Sequence, residues 1–160
     1  PGARDQADIE ARDDVLVYTT PVLEKGVEVT GPITLNLYVS STAKDTDFTA
    51  KLVDVYPDGR AYNIQDGILR ARYREGFTRE VWMEEGEVYK IQLDLSVTSR
   101  YFKPGHKIRL QISSSNFPNF ERNLNTGGKN FNESVWVIAE NTIHHSDKYP
   151  SHLILPIIPE

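Results

Sequence analysis

No cysteine occurs in the 160 residues, so disulfides, thiolate metal sites and a cysteine nucleophile are excluded together. That absence favours neither a reducing nor an oxidising compartment, and localisation stays open. No apolar run approaches the about 18 residues of a membrane span. The longest, Leu153-Ile154-Leu155-Pro156-Ile157-Ile158, is short and interrupted by proline. A basic excess is missing as well: 18 Lys and Arg stand against 23 Asp and Glu, a net charge of −5. Nucleic-acid binders and proteins seated on anionic lipid normally carry a basic stripe, so neither nucleic acid nor membrane is an expected partner. The pentapeptide Gly-x-Ser-x-Gly, which lifts a nucleophilic serine above the sheet of an α/β-hydrolase, is absent. So is an initiator methionine. Pro1 opens the chain without a charged-then-apolar leader, so the chain reads as a piece of something longer and export is undecided.

What the sequence does contain is period-two alternation, the mark of half-buried strands. In His106–Ser113, Ile108, Leu110 and Ile112 alternate with Lys107, Arg109 and Gln111. Val88–Ser96 sets Tyr89, Ile91, Leu93 and Leu95 against Lys90, Gln92 and Asp94, and Ile33–Ser40 sets Ile33, Leu35, Leu37 and Val39 against Thr34, Asn36 and Tyr38. Phe48–Tyr56 is rich in strand formers with a less tidy register. Asp14–Thr19, Ile68–Arg74, Val135–Ala139 and Leu153–Ile158 complete the candidates. Turn residues separate them at Tyr56-Pro57-Asp58-Gly59-Arg60, Lys103-Pro104-Gly105-His106 and Glu84-Glu85-Gly86-Glu87. No segment sustains a 3.6-residue apolar period with caps, and Glu133–His144 suits a strand better than a helix. The expected fold is all-β, a sandwich or jelly roll, as a single domain over residues 1–160. Asn116–Asn132 is a long loop dense in asparagine and glycine. It is functional, or its Phe117, Phe120 and Phe131 simply pin it over the core.

The search for chemistry yields few constellations. Ser113-Ser114-Ser115 closes a strand and suits strand-end hydrogen bonding better than nucleophilic attack. His144 and His145, adjacent on a strand, point to opposite faces, and with His106 and His152 they make no expected metal set. Asp45-Thr46-Asp47 supplies two carboxylates in a loop. Calcium wants six to eight oxygens, so strand termination through nearby backbone amides is the plainer reading. Gly127-Gly128-Lys129 lacks the remainder of a phosphate loop. Asn132-Glu133-Ser134 matches a glycosylation sequon, a motif common by chance. Arg70, Arg72 and Arg74 alternate, which on a strand puts three guanidiniums on one face and calls for carboxylate partners in this domain or a neighbour.

The run Asp45-Thr46-Asp47-Phe48-Thr49-Ala50-Lys51-Leu52-Val53-Asp54-Val55-Tyr56-Pro57-Asp58-Gly59-Arg60 resembles the signature strand and turn of the X-Pro dipeptidyl-peptidase-like acyl hydrolases, a family that includes cocaine esterase and α-amino acid ester hydrolase. The resemblance continues through Asp66–Arg74, Phe102–Leu110, Ser113–Pro118, Asn123, Asn125-Thr126-Gly127-Gly128 and Pro150–Pro156, with Leu16–Thr19 and Gly31-Pro32 in place. It implies a C-terminal non-catalytic jelly roll, similar to galactose-binding-like folds, packed on an upstream α/β-hydrolase domain that holds the serine, aspartate and histidine. No catalytic residue carries over from it, and the residues themselves call for no cofactor and assign no metal ligand. It further implies that the opening strand or strands of the jelly roll are missing here, leaving an edge along which the chain is expected to form a homo-oligomer.

Three functions follow from these readings. The first is an accessory domain of a serine hydrolase, with Asp45, Asp47, Arg70, Arg72, Arg74 and Phe117 as candidate interdomain or structural residues. The second is a carbohydrate-binding module using exposed aromatics, for which Trp82, Trp136, Tyr62 and Tyr149 are the candidates. The third, a free-standing enzyme, lacks a nucleophile motif or a metal cluster.

Overall fold

Alternating side chains become sheet faces in the structure, a computed structural model that describes residues 2–159; Pro1, on which the reading of a cut end rests, lies outside them, as does Glu160. After one helical turn, α1 (Ala7–Glu10), the strands are β1 (Leu16–Thr19), β2 (Val27–Ser41), β3 (Asp47–Val55), β4 (Ala61–Arg70), β5 (Tyr89–Phe102), β6 (Lys107–Ser113), β7 (Asn141–His144) and β8 (His152–Ile154). One sheet has the order β1-β6-β3-β4; the other has the order β5-β2-β7, with β8 also paired to β2. Every pairing is antiparallel. The expected all-β sandwich is what forms.

The inward faces are those the alternation marks. Ile33, Leu35, Leu37 and Val39 of β2 meet Phe48, Ala50 and Leu52 of β3 across the sandwich, with Ile91, Leu93 and Leu95 of β5 and Ile108 and Ile112 of β6. Each such side chain withdrawn fully from water contributes roughly 1.5–3 kcal/mol. The untidy register of β3 has a physical cause. The strand is buried on both faces, because Val53 and Val55 pack with Ala61 on the outer side. The segment before β1 lies over that side: Gln6 bonds the Ala61 carbonyl through its amide, and Glu10 accepts from Arg109 and Gln111.

Several strands differ from the sequence reading. β5 runs on to Phe102, past a bulge opposite Ile33 where Ser96 takes a positive φ of 63° and Asp94 holds its amide at 2.7 Å. The bulge breaks the alternation, and the readable pattern stops there. The segment read as Ile68–Arg74 is a strand only to Arg70; Ala71–Tyr73 is a 3₁₀ turn, and the strand proper begins at Ala61. Val135–Ala139 belongs to no strand, since no sheet edge pairs with it, and β7 starts at Asn141 instead. Leu153–Ile158 is a ladder only over β8. Beyond Ile154 it follows β2 through single bonds, Thr30 to the Pro156 carbonyl and Ile158 to that of Glu28. The Lys103–His106 turn forms as expected, closed by the His106 amide on the Lys103 carbonyl at 3.1 Å, with Gly105 at φ 85° as a type II turn requires.

The sandwich is shut on one side and open on the other. Where β4 lies over β5, Gln65 donates to the Val97 carbonyl at 2.6 Å, and Gly67 lies so close to Asp94 that a Cβ would stand 2.3 Å from its carbonyl oxygen. On the other side, β1 and the β7/β8 edge splay around an apolar groove of about 570 Å³ lined by Tyr18, Leu35, Leu37, Leu110, Ile143 and Leu153. Burial there holds the Tyr18 phenol above its ordinary pKa. Among the described residues no strand pairs with the outer edge of β1.

Gly67→Ala tests the closed side. The obstacle is backbone, so the sheets must separate, and the urea midpoint should fall by about 1–3 kcal/mol of stability. An unchanged midpoint would mean that β4 and β5 are not in that contact.

Candidate functional site

Because β2, β4 and β6 finish at the end of the sandwich where β3, β5 and β7 begin, the connections 42–46, 71–88 and 114–140 emerge together. A short polar chain cannot bury its backbone without partners, and here the partners are charged. Asp45 is fully buried. Its Oδ1 accepts the Arg72 backbone amide at 2.9 Å, and its Oδ2 accepts the Arg72 guanidinium and the Asn123 amide, each at 2.8 Å. Asp47, also buried, takes Arg70 in a two-pronged pair at 2.9 and 3.1 Å and shares Asn123 at 2.8 Å. Arg72 continues to Glu80 at 3.1 Å and to the Gly128 carbonyl at 2.8 Å, with its guanidinium over the Trp82 ring at 4.8 Å. Arg70 also reaches the Glu121 carbonyl.

The electrostatics are self-consistent. The hydrogen bond to Asp47 raises the Arg70 pKa. Burial opposes the charge on Arg72, but the bonds and field of Asp45 and Glu80 outweigh it, so its pKa is raised too. Glu80 is lowered, first by its bond from Arg72 and then by that from Tyr73.

All six residues singled out in the sequence lie at this end, though not as a row. Asp45 does bond a backbone amide, as the strand-terminating reading holds, but Asp47 meets only side chains, and most of the four oxygens serve guanidiniums. Among the described residues no group of three or more His, Asp or Glu could hold a metal ion. The three arginines do not share one strand face. Arg70 ends β4, Arg72 sits in the 3₁₀ turn, and Arg74 follows it. The departure comes from Asp45 capturing the Arg72 amide and from the Ala71 amide bonding the Thr46 carbonyl, which together draw the chain off the sheet. Among the described residues Arg74 meets no carboxylate; it donates to the carbonyls of Ala71, Val81 and Trp82 and lies over Tyr89 at 4.3 Å.

Phe117 does not pin its loop to the core. It is 61% exposed beneath the Arg122 guanidinium, and Phe120 and Phe131 also face solvent. Polar pins hold the loop instead: Asn123, the Arg72 bond to Gly128, and Asn116 on Asp66 at 2.9 Å. Farther on, Val135, Trp136, Val137 and Ile138 are all exposed in one extended ribbon, tied back by the Val137 amide on the Leu124 carbonyl and by Asn125 on the Val137 carbonyl. The aromatics proposed for sugar do not make one platform. Trp82 is covered by Arg72, Tyr62 stacks edge-on with Tyr56, Tyr149 tilts against Tyr38, and Trp136 stands on the ribbon.

Sequence reasoning missed Asn123 and Glu80 as members of the cluster. It also missed a second buried charge at the far end, where Asp54 of β3 holds Arg100 of β5 at 2.5 Å and His106 Nδ1 at 2.7 Å. The signal was there in Asp54, which sits in the inward register of Phe48, Ala50 and Leu52. The structure also pairs Ser40 Oγ with His144 Nε2 at 2.9 Å, while His145 turns to the opposite face against Tyr18. Thus a serine–histidine pair lies at one end and a histidine–aspartate pair at the other. Among the described residues the three groups of a triad meet nowhere. Ser113 and Ser114 bond Thr49 and Asn141 at 2.7 Å, strand-end roles as expected.

The X-Pro dipeptidyl-peptidase C-terminal non-catalytic domain profile matches residues 2–154. Cocaine esterase of Rhodococcus sp. (strain MB1 Bresler) is 53% identical over 159 residues, which is 98% of this chain and 28% of that protein. Among solved structures, an α-amino acid ester hydrolase superposes with a TM-score of 0.93 at 28% identity, over 98% of this chain and 27% of its own. An aminopeptidase from a marine sediment Thaumarchaeota archaeon gives 0.89 at 29% identity, over 97% and 27% respectively. The chain therefore spans little more than a quarter of the length of these relatives.

Removing one partner of a buried ion pair strands the other, so Arg72→Met should cost about 3–5 kcal/mol in urea unfolding. Asp45→Val together with Arg72→Met should recover much of that loss, because neither charge is then left alone. Equal costs for the single and the double variant would show that Asp45 and Arg72 are not coupled.

Proposed function

Because the chain belongs to the X-Pro dipeptidyl-peptidase C-terminal non-catalytic domain family, we propose that it is the accessory domain of a serine hydrolase, packing on an α/β-hydrolase domain of the same protein and helping to shape its cleft or its oligomer. The observation that carries this reading is the contrast in coverage: nearly all of this chain aligns with cocaine esterase, yet it accounts for 28% of that protein. Residues 1–160 are one domain of the larger protein in this reading. The reaction of the parent is transfer of an acyl group from an ester or amide to water, through an activated serine outside this chain; cleavage after X-Pro is one member of that range. The geometry supports a supporting role, since the buried carboxylates Asp45, Asp47 and Asp54 are each already engaged by a guanidinium and one further side-chain partner.

Asp45, Asp47, Arg70, Arg72 and Arg74 act here by fixing the loop end, and Phe117 is a side chain that this end presents. The homo-oligomer is assigned to another surface, the unpaired edge of β1, whose Leu16, Val17 and Tyr18 are exposed and carry none of the charges or prolines that guard an edge.

Two measurements test these statements. The 160-residue chain should neither hydrolyse p-nitrophenyl acetate nor react with a fluorophosphonate probe, while the longest gene product that contains it does both. Labelling of a serine within the chain would sink the accessory-domain reading. In light scattering the isolated chain should gain mass with concentration, and a clean monomer across a wide range would refute association along β1.

A further inference from the structure

Half of the large apolar side chains exposed by the described residues belong to the connections 71–88 and 114–140, at the clamped end. Phe77, Phe117, Phe131, Trp136 and Ile138 are among them, each more than 60% exposed. Four consecutive apolar residues in solvent, Val135–Ile138, are a liability in a free-standing protein and a contact surface in an assembled one. The ribbon is also held in place. Besides its bonds to Leu124 and Asn125, it is anchored at its end by the Glu140 amide on Thr42 and by Asn141 on Thr46 and Ser114. Those anchors lie on the same connections that Asp45, Arg72 and Asn123 cross-link. The buried charges thus fix a surface whose own side chains pack on little within this chain.

We infer that the ribbon Val135–Ile138, with Phe131 beside it, is the face by which this domain docks on the α/β-hydrolase portion of its own longer protein. This rests on the accessory-domain reading and names the surface it uses. The occupant follows from length. In the cocaine esterase and the α-amino acid ester hydrolase, 28% and 27% of the chain match this one, so a body more than twice the size of this domain is available in cis. Aromatic and aliphatic side chains at the centre of a patch are the composition of a stable protein contact. A cis partner of that size covers such a patch at high effective concentration.

The test is hydroxyl-radical footprinting of the longest gene product, comparing each residue folded and urea-unfolded. Trp136 and Ile138 should be labelled about tenfold less in the folded protein. Val97 and Tyr101, exposed on β5 away from this end, should be labelled almost equally in both states. Trp136→Ser with Ile138→Ser should restore labelling of Phe131. These side chains are exposed in this domain, so the variant is expected to fold. Equal labelling of Trp136 in both states would overturn the proposal. So would protection that vanishes on dilution, which would assign the ribbon to a second copy. Fluorophosphonate labelling of the same long product reads the hydrolase function separately: labelled protein with an unprotected ribbon removes only the docking face, and a protected ribbon without labelling removes only the hydrolase.

Discussion

Asp45 and Arg72 set opposite charges 2.8 Å apart with almost no access to water, and the loop end is organised around that pair. Taking two ions out of water costs several kcal/mol each, which their attraction offsets only where the remaining lone pairs and protons also find partners. Here they do. Asp45 accepts an amide of the 3₁₀ turn and one of Asn123, and Arg72 donates to Glu80 and to the carbonyl of Gly128. Those partners lie on connections 71–88 and 114–140 while Asp45 lies on 42–46, so meeting the electrostatic demand of two side chains fixes three connections relative to one another. Connections as polar as 42–46 and 121–130 could not be fixed by apolar packing, because they have little apolar surface to bury.

The same solution appears at the far end. The core fills the middle of the sandwich with aliphatic side chains, but toward the ends the sheets stop and backbone groups need partners. Asp54 there bridges one sheet to Arg100 of the other and holds His106, whose ring leans on Tyr56 at 4.5 Å. Charge thus holds both ends of the sandwich, with hydrocarbon between. Among the described residues Asp45, Asp47 and Asp54 are committed to arginines, the Ser40–His144 pair has no carboxylate behind it, and His106, which does have one, has no serine.

The long alternating strands were legible because their inward positions meet hydrocarbon and their outward positions carry polar side chains. Ile33–Val39 and Ile108–Ile112 show the pattern without interruption. It failed where that condition failed. β3 is buried on both faces, β5 is interrupted by the bulge at Ser96, and β4 carries Asn63, Gln65 and Asp66 in its first part, where burial is only partial. Val135–Ala139 deceived in the opposite sense, since its composition is that of a strand although no edge receives it. The arginine triplet was recognised as needing carboxylates, and Asp45 and Asp47 were recognised as a pair, but their match spans some 25 positions of sequence and carries no periodic signal. Asn123, which joins both aspartates, is one asparagine in a loop full of them.

Two surfaces of the molecule remain unfinished, and they differ in kind. The edge of β1 offers backbone donors and acceptors, which any strand can satisfy, so its selectivity is low and its control must come from what lies beside it. The ribbon offers side chains in fixed places, which only a complementary shape can cover. The buried charges sit behind the second surface and not the first. A clamp of that kind adds little net stability relative to a hydrocarbon replacement, so its value lies in geometry: it holds apolar side chains at set positions before any partner arrives, and a surface already ordered loses less entropy on docking. A superposition of 0.93 at 28% identity fits such a domain, in which the frame is the working part and most of the side chains are free to change.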